Sequence, residues 1–126
     1  MQPIRLMSVT RGHPSRMASL RERFTALAEE FAGTPAVNGP DPSGRGFGAD
    51  TLKVHGSIFA MPTRGHLVVK LPRERVDALT GAGVGWPFEA GTGRPMKQWM
   101  VVGAEDHETW LALAREALDF VRSQRR

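Results

Sequence analysis

The sequence of this chain contains no cysteine. Disulfides, thiolate metal ligands and cysteine nucleophiles are therefore all excluded. The chain also has no apolar run that approaches the ~20 residues of a bilayer-spanning helix. Near its start, Arg5 and Arg11 have no apolar segment between them, which is not the pattern of a secretory signal peptide. These absences predict a cytoplasmic protein without a membrane segment.

The length of 126 residues predicts one domain, residues 1–126, that buries roughly two thirds of its unfolded surface around one core. Hydrophobic residues make up 40% of the chain and charged residues 24%, which is typical of globular proteins and not of disordered ones. Lysine plus arginine outnumber aspartate plus glutamate by 17 to 13, a net charge of +4. This charge permits nucleic-acid binding without requiring it, because the basic residues are scattered along the chain.

The first predicted helix follows an irregular lead-in at residues 1–13, which lacks periodicity. Ser19 and Glu22 match a capping box, a pattern that begins helices, and Pro14-Ser15 is an alternative start one turn earlier. Apolar residues then recur at spacings of four, three and four, as on one face of a helix: Leu20, Phe24, Leu27 and Phe31. Segment 34–46 is rich in proline and glycine and is predicted to be a loop that ends this helix.

The middle of the chain carries the patterns of β-strands. Glycine adopts a positive φ without a steric clash, so His55-Gly56 suits a tight turn. This turn predicts a hairpin in which residues 50–54 pair with residues 57–61. A further short strand is expected near residues 46–48.

A second turn and a short helix are predicted next. Pro62-Thr63-Arg64-Gly65 separates the hairpin from residues 66–71, and a turn of this composition between apolar runs indicates another hairpin connection. Residues 66–71 are almost continuously apolar, which is typical of a strand that is central in its sheet or covered on both faces. Pro72 then suits the start of a helix at residues 73–80, which a glycine-rich stretch ends.

The last third of the chain predicts one more hairpin and a long helix. Phe88 and the run from Met96 to Val102 flank a turn at residues 89–95. The final helix has acidic residues at its start, and a wide apolar arc follows: Trp110, Leu113, Ala114, Ala117, Leu118 and Val121. The sequence therefore predicts an α+β fold with one mostly antiparallel sheet of about five strands. The first and last helices pack against this sheet, and helix 73–80 lies at its edge.

No group of residues in the sequence predicts a catalytic, metal or nucleotide site. Gly81-x-Gly83-x-Gly85 follows a helix, whereas a dinucleotide-binding loop follows a strand and opens a helix. The four histidines show neither a helical pair at i, i+4 nor a carboxylate at ligand spacing. No serine stands in the glycine-flanked elbow of a hydrolase. We therefore expect a protein that is not an enzyme and that uses no cofactor.

Five short segments carry a family resemblance: Phe47-Gly48, Leu52-Lys53-Val54, Phe59-Ala60-Met61, Leu67-Val68-Val69-Lys70-Leu71, and Gly93-Arg94-Pro95-Met96 before Trp99. With them the chain resembles the N-terminal domain family of the competence regulator TfoX, also called Sxy. This family overlaps the MmcQ/YjbR-like proteins, and the small single-domain actinobacterial members are the most similar. The resemblance implies a TfoX N-terminal-like fold over most of residues 19–122. Gly46 departs from the methionine that is common in the family.

The resemblance also implies a function. The MmcQ/YjbR relatives are described as binding DNA through paired wing-like hairpins, which would correspond here to the turns at 62–65 and 89–95. The cations on and beside these turns would then contact phosphates: Arg64, Lys70, Arg73, Arg94 and Lys97. The resemblance does not extend to the second, C-terminal domain of full-length TfoX regulators, so competence regulation is not carried over.

Two other functions stay open at this point. The chain could be a protein-interaction module that dimerises or docks a partner, with basic residues that only keep it in solution. It could also bind a flat or anionic small ligand at Trp86, Trp99 and Arg94 by cation–π contact. Packing of both tryptophans in the core is the alternative interpretation of that last group.

Overall fold

The computed structural model describes residues 19–40, 51–89, 91, 93 and 95–124. Within them the chain forms three helices and one sheet of six strands. The helices are α1, Leu20–Glu29; α2, Arg73–Gly81; and α3, His107–Gln124. The strands are β1, Val37–Asn38; β2, Leu52–Val54; β3, Ser57–Thr63; β4, His66–Lys70; β5, Gly85–Glu89; and β6, Pro95–Val102. None of these described helices is long and apolar enough to cross a bilayer.

The sheet is antiparallel at every pairing and has the order β1-β2-β3-β4-β6-β5. The predicted α+β fold is thus confirmed, with six strands instead of about five. The extra strand is β1, which lies inside the predicted loop at 34–46. Val37 pairs with Val54 there, and the amide of His55 donates a hydrogen bond to the carbonyl of Ala36 at 3.0 Å. The strand expected near 46–48 and the lead-in at 1–13 lie outside the described residues.

Both tight turns between β2 and β4 have the backbone that the sequence predicts. His55 and Gly56 have φ values of 51° and 82°, and Arg64 and Gly65 have φ values of 53° and 86°. Positive φ at both central residues is the type I′ geometry, which suits the twist of the flanking strands. Each hairpin is therefore joined by a loop of two residues.

The turn predicted at 62–65 was too wide, because Pro62 lies within β3. Pro62 pairs with Leu67, and the neighbouring pair that closes the turn is Thr63 with His66. In this register the ring nitrogen of Pro62 points away from β4, toward the β2 side of β3, beyond the last described pair of these two strands, Leu52 with Ala60. A proline is tolerated there because no ladder hydrogen bond to β4 is lost.

All three helices pack on one face of the sheet. The main core joins apolar residues of α1, α2 and α3 to the strands, and it includes Leu67 and Val69 of β4. Successive side chains of a strand alternate between faces, so Val68 points to the other side. There it joins a smaller cluster with Phe88 and Val101 that contains no helical residue, and partly buried Met61 and Trp99 pack against it. We call this second side of the sheet the open face.

Helix α1 begins as the sequence predicts. The hydroxyl of Ser19 accepts a hydrogen bond from the amide of Glu22 at 3.1 Å, and the Glu22 carboxylate accepts one from the Ser19 amide at 3.0 Å. Phe24 and Leu27 are buried on its inner face, while Phe31 is buried just beyond the end of the helix at Glu29. The capping box therefore sets the start of α1 and its apolar spacing sets its orientation.

Polar contacts join α1 to the start of α3. Arg23 donates a hydrogen bond to the carbonyl of Glu105 at 2.8 Å, and its guanidinium lies 4.4 Å from the ring centre of Trp110. At the other end of α1, His107 and Glu30 are joined at 2.8 Å. The charged group of Arg23 therefore makes its contacts within the fold.

Candidate functional site

A shallow depression of about 520 Å³ lies on the open face at the junction of β4, β6 and α2. We call it the basic depression, and its lining consists of Lys70, Arg73, Met96, Lys97, Gln98 and Trp99. Three of the five predicted cationic residues thus lie together. The fold brings them there because Lys70 pairs with Trp99, and because the chain turns into α2 directly after β4.

The pairing of β5 with β6 explains why the sheet surface dips at this point. Pro87 pairs with Met100, but the next residue, Phe88, pairs with Met96. Residues 97–99 of β6 therefore have no partner in β5, although they remain beside β4, where the Leu71 amide donates to the carbonyl of Gln98 at 2.9 Å. These three residues form half of the lining.

The charge of the basic depression is uncompensated by the part of the chain that the structure describes. All charged residues of its lining are cations, and none of them forms an ion pair with a described carboxylate. Arg75 provides the contrast: its guanidinium makes two hydrogen bonds of 2.9 Å to the carboxylate of Glu116, which raises the pKa of Arg75. Arg75, two residues after Arg73 in α2, is thus neutralised, whereas no described carboxylate neutralises the cations inside the depression.

The predicted residue Arg64 lies on the tip of the β3–β4 hairpin, outside this lining. Its guanidinium donates a hydrogen bond of 3.4 Å to the carbonyl of Glu89, the last residue of β5. The two hairpins predicted as wings therefore touch at this point. Arg94 lies outside the described residues.

The two predicted tryptophans have different surroundings. Trp99 is partly buried beside the open-face cluster, and the ammonium of Lys70 lies 5.7 Å from its ring centre. Trp86 is 46% exposed, and its ring packs edge-on against His66 with 5.2 Å between the ring centres. Core packing is therefore the wrong interpretation for Trp86, because β5 is an edge strand and no described helix covers this face.

Sequence reasoning missed Met96 and Gln98 of the lining, and also a separate concavity. A groove of about 620 Å³ runs along α1 and is lined largely by apolar residues, among them Phe24, Val37 and Pro62. No motif marks this groove, since its walls come from ordinary helix and strand residues. It carries no cluster of like charges, because Arg21 and Glu29 have opposite signs.

No group of three or more histidine, aspartate or glutamate side chains that could hold a metal ion occurs in residues 19–40, 51–89 and 95–124. Compared with known proteins, the chain matches no family model, no curated protein and no solved structure. The resemblance to the TfoX N-terminal domain family is therefore neither supported nor contradicted by these comparisons and stays a prediction.

Proposed function

We propose that this protein is a non-enzymatic, regulatory nucleic-acid-binding module that holds the phosphate backbone in the basic depression. One observation carries the proposal: Lys70, Arg73 and Lys97, scattered in the sequence, converge without a described carboxylate to neutralise them. A nucleic-acid backbone offers closely spaced negative charges, and contacts to it supply most of the affinity of such proteins. Three of the five cations that the family resemblance implies as phosphate contacts lie here, although the wing-tip residue Arg64 lies outside the lining.

The cations are carried by regular elements. Lys70 ends β4, Arg73 begins α2 and Lys97 lies in β6. The first turn of α2 adds the positive end of a helix dipole, and Pro72 provides no side-chain cap for its amides. A phosphate bound there meets charges that the fold has already positioned, so little ordering of the backbone opposes binding.

A salt titration of affinity tests this proposal. With labelled oligonucleotides, three phosphate contacts should give a slope of log K against log salt of about −2 to −3. Replacing Lys97 with alanine should weaken binding and flatten that slope by about 0.7 to 0.9. The thermal midpoint should hardly change, because exposed charges contribute little to stability.

Arg115→Ala provides the matched control. Arg115 is exposed on α3, which packs on the opposite face of the sheet, so this variant loses the same charge far from the basic depression. Its slope should equal that of the unmodified protein. Absence of binding at low salt would refute the proposal, and so would an equal effect of the Lys97 and Arg115 substitutions.

The protein-interaction module remains a second candidate because of one observation. Trp86 and Met96 are large apolar residues with 46% and 38% exposure, and both lie in strands whose outer side no described helix covers. Aromatic residues and methionine are enriched in protein interfaces. Sedimentation equilibrium of the protein and of a Trp86→Ser variant tests this candidate, since a homodimer through this face should dissociate in the variant.

A cytoplasmic location, predicted from the sequence, is compatible with either function.

A further inference from the structure

We infer that the nucleic acid in the basic depression is single-stranded, with an unpaired base stacked on the indole of Trp99. The inference rests on the proposed function and adds the class of strand. Its basis is that the lining combines three cations with a tryptophan on a sheet face that no described helix covers. This is the composition of sites for single strands, where a positive groove follows the backbone and aromatic side chains stack on the bases.

A duplex would leave the indole without a partner. In a double helix the faces of the bases are covered by their neighbours, and a protein meets only phosphates, sugars and base edges in the grooves. An unpaired strand exposes its base faces, and a tryptophan among phosphate-binding cations can contact one of them. Trp99 is supported from behind, because it packs against the cluster of Val68, Phe88 and Val101.

In the free protein Lys70 contacts the indole of Trp99, and we expect a base to replace the ammonium over this ring when a strand binds. In the free protein the ammonium lies 5.7 Å from the ring centre, so a cation occupies the place over the indole where a base would stack. The side chain of lysine is flexible and its ammonium is a mobile point charge. When a strand binds, the ammonium moves to a phosphate and the base takes its place over the ring.

The shape and remaining lining of the basic depression suit one projecting nucleotide. Its volume of about 520 Å³ lies within the range of pockets for small organic ligands, about 300 to 1,000 Å³. The amide of Gln98 offers both donors and an acceptor to a base edge, and the thioether of Met96 makes favourable contacts with aromatic rings. A duplex is convex and would span such a depression without filling it.

The test compares variants of Trp99 on single strands and on a duplex of the same length. Trp99→Leu should weaken the binding of labelled oligo(dT) or oligo(rU) about tenfold or more, while Trp99→Phe, which keeps a ring, should lose less. Duplex affinity should be lower than strand affinity and should be the same in both variants. Trp86→Leu is the control, because it removes an exposed indole that does not line the depression.

Intrinsic fluorescence gives a second readout that does not depend on the stability of the leucine variant. Strand binding should quench the fluorescence of the unmodified protein and of Trp86→Phe, and Trp99→Phe should lose most of this quenching. Binding of either oligo(dT) or oligo(rU) supports the inference.

The inference is wrong if a duplex binds as tightly as the strand, or if Trp99→Leu keeps full strand affinity while Lys97→Ala lowers it. Those results would leave the proposed function intact. If neither strand nor duplex binds at low salt, the proposed function fails together with the inference, and binding of oligo-glutamate instead would identify an acidic protein partner.

Discussion

Replacing Gly85 with alanine tests how closely β5 must approach β6 at the end of the sheet that carries Trp86. A Cβ atom at Gly85 would lie 2.0 Å from the carbonyl oxygen of Val101, 3.1 Å from its carbon and 3.3 Å from Cε of Met100. Favourable separations of non-bonded carbon atoms are about 3.5 to 4.0 Å. Because the closest atom belongs to the backbone, no side-chain rotation can relieve the clash, and β5 must move by about 1 Å or more.

The free energy of unfolding should fall by about 3 kcal/mol in Gly85→Ala. Inserting an extra methyl group into a packed site costs about 1 to 3 kcal/mol. The displacement also weakens the ladder where Gly85 pairs with Val102 and Trp86 with Val101, and each lost hydrogen bond costs about 0.5 to 1.5 kcal/mol. For a chain of this size the melting temperature should drop by about 10 °C.

Gly81→Ala is the matched control, because it makes the same chemical change where there is space. Gly81 ends α2, and a Cβ atom there would meet nothing within 4 Å. Alanine restricts the unfolded chain and favours helix, so this variant should gain about 0.4 to 1 kcal/mol. Urea denaturation followed by tryptophan fluorescence measures both. Equal stabilities for the two variants would refute the account of the β5–β6 contact.

Two further predictions concern polar groups. Hydrogen bonds from Thr109 lower the pKa of the Asp106 carboxyl, so its stabilising effect is present above about pH 4 and is lost as the pH falls through the folded-state pKa. Asp106 directly precedes α3, and its side chain accepts a hydrogen bond from the Thr109 amide, as an N-cap does. Asp106→Ala should cost about 1 kcal/mol at neutral pH, whereas Asp106→Asn should keep this hydrogen bond but lose the acid dependence in thermal melts. Thr80 Oγ1 is buried with no hydrogen-bond partner among the described residues. Thr80→Val should therefore raise the free energy of unfolding by up to about 1 kcal/mol in urea, and a decrease would show that the hydroxyl has a partner.

The parts of the fold that could be predicted from the sequence are those with a local cause. The capping box of Ser19 and Glu22 and the glycine turn at His55-Gly56 act through residues close in the chain, and both are confirmed. Strand β1 could not be predicted in this way. Its two residues show no alternation, and they are extended because the β2 edge beside them, at Lys53 and Val54, offers hydrogen-bond partners.

The candidate site could be predicted from the sequence only in part, for the same reason. Lys70, Arg73 and Lys97 were all predicted as cations that contact phosphates. Only the pairing of β4 with β6 brings Lys97 beside the other two. The irregular register between β5 and β6, which leaves residues 97–99 without partners in β5, falls directly after Pro87. A proline in a strand is compatible with a bulge but does not say which residues lose their partners, so the sequence predicts the charges and not the depression.

The packing of α3 has a consequence for how the chain folds as it is synthesised. This helix covers β2, β3 and β4, yet its apolar residues, Trp110 to Val121, are translated after every strand. The hairpins with two-residue loops can pair early, because their contacts are local. The part of the buried side of β2, β3 and β4 that α1 does not cover then faces water until α3 leaves the ribosome. Residues 52–69 are accordingly the segment where a chaperone would bind the growing chain, and where slow synthesis of α3 would favour aggregation.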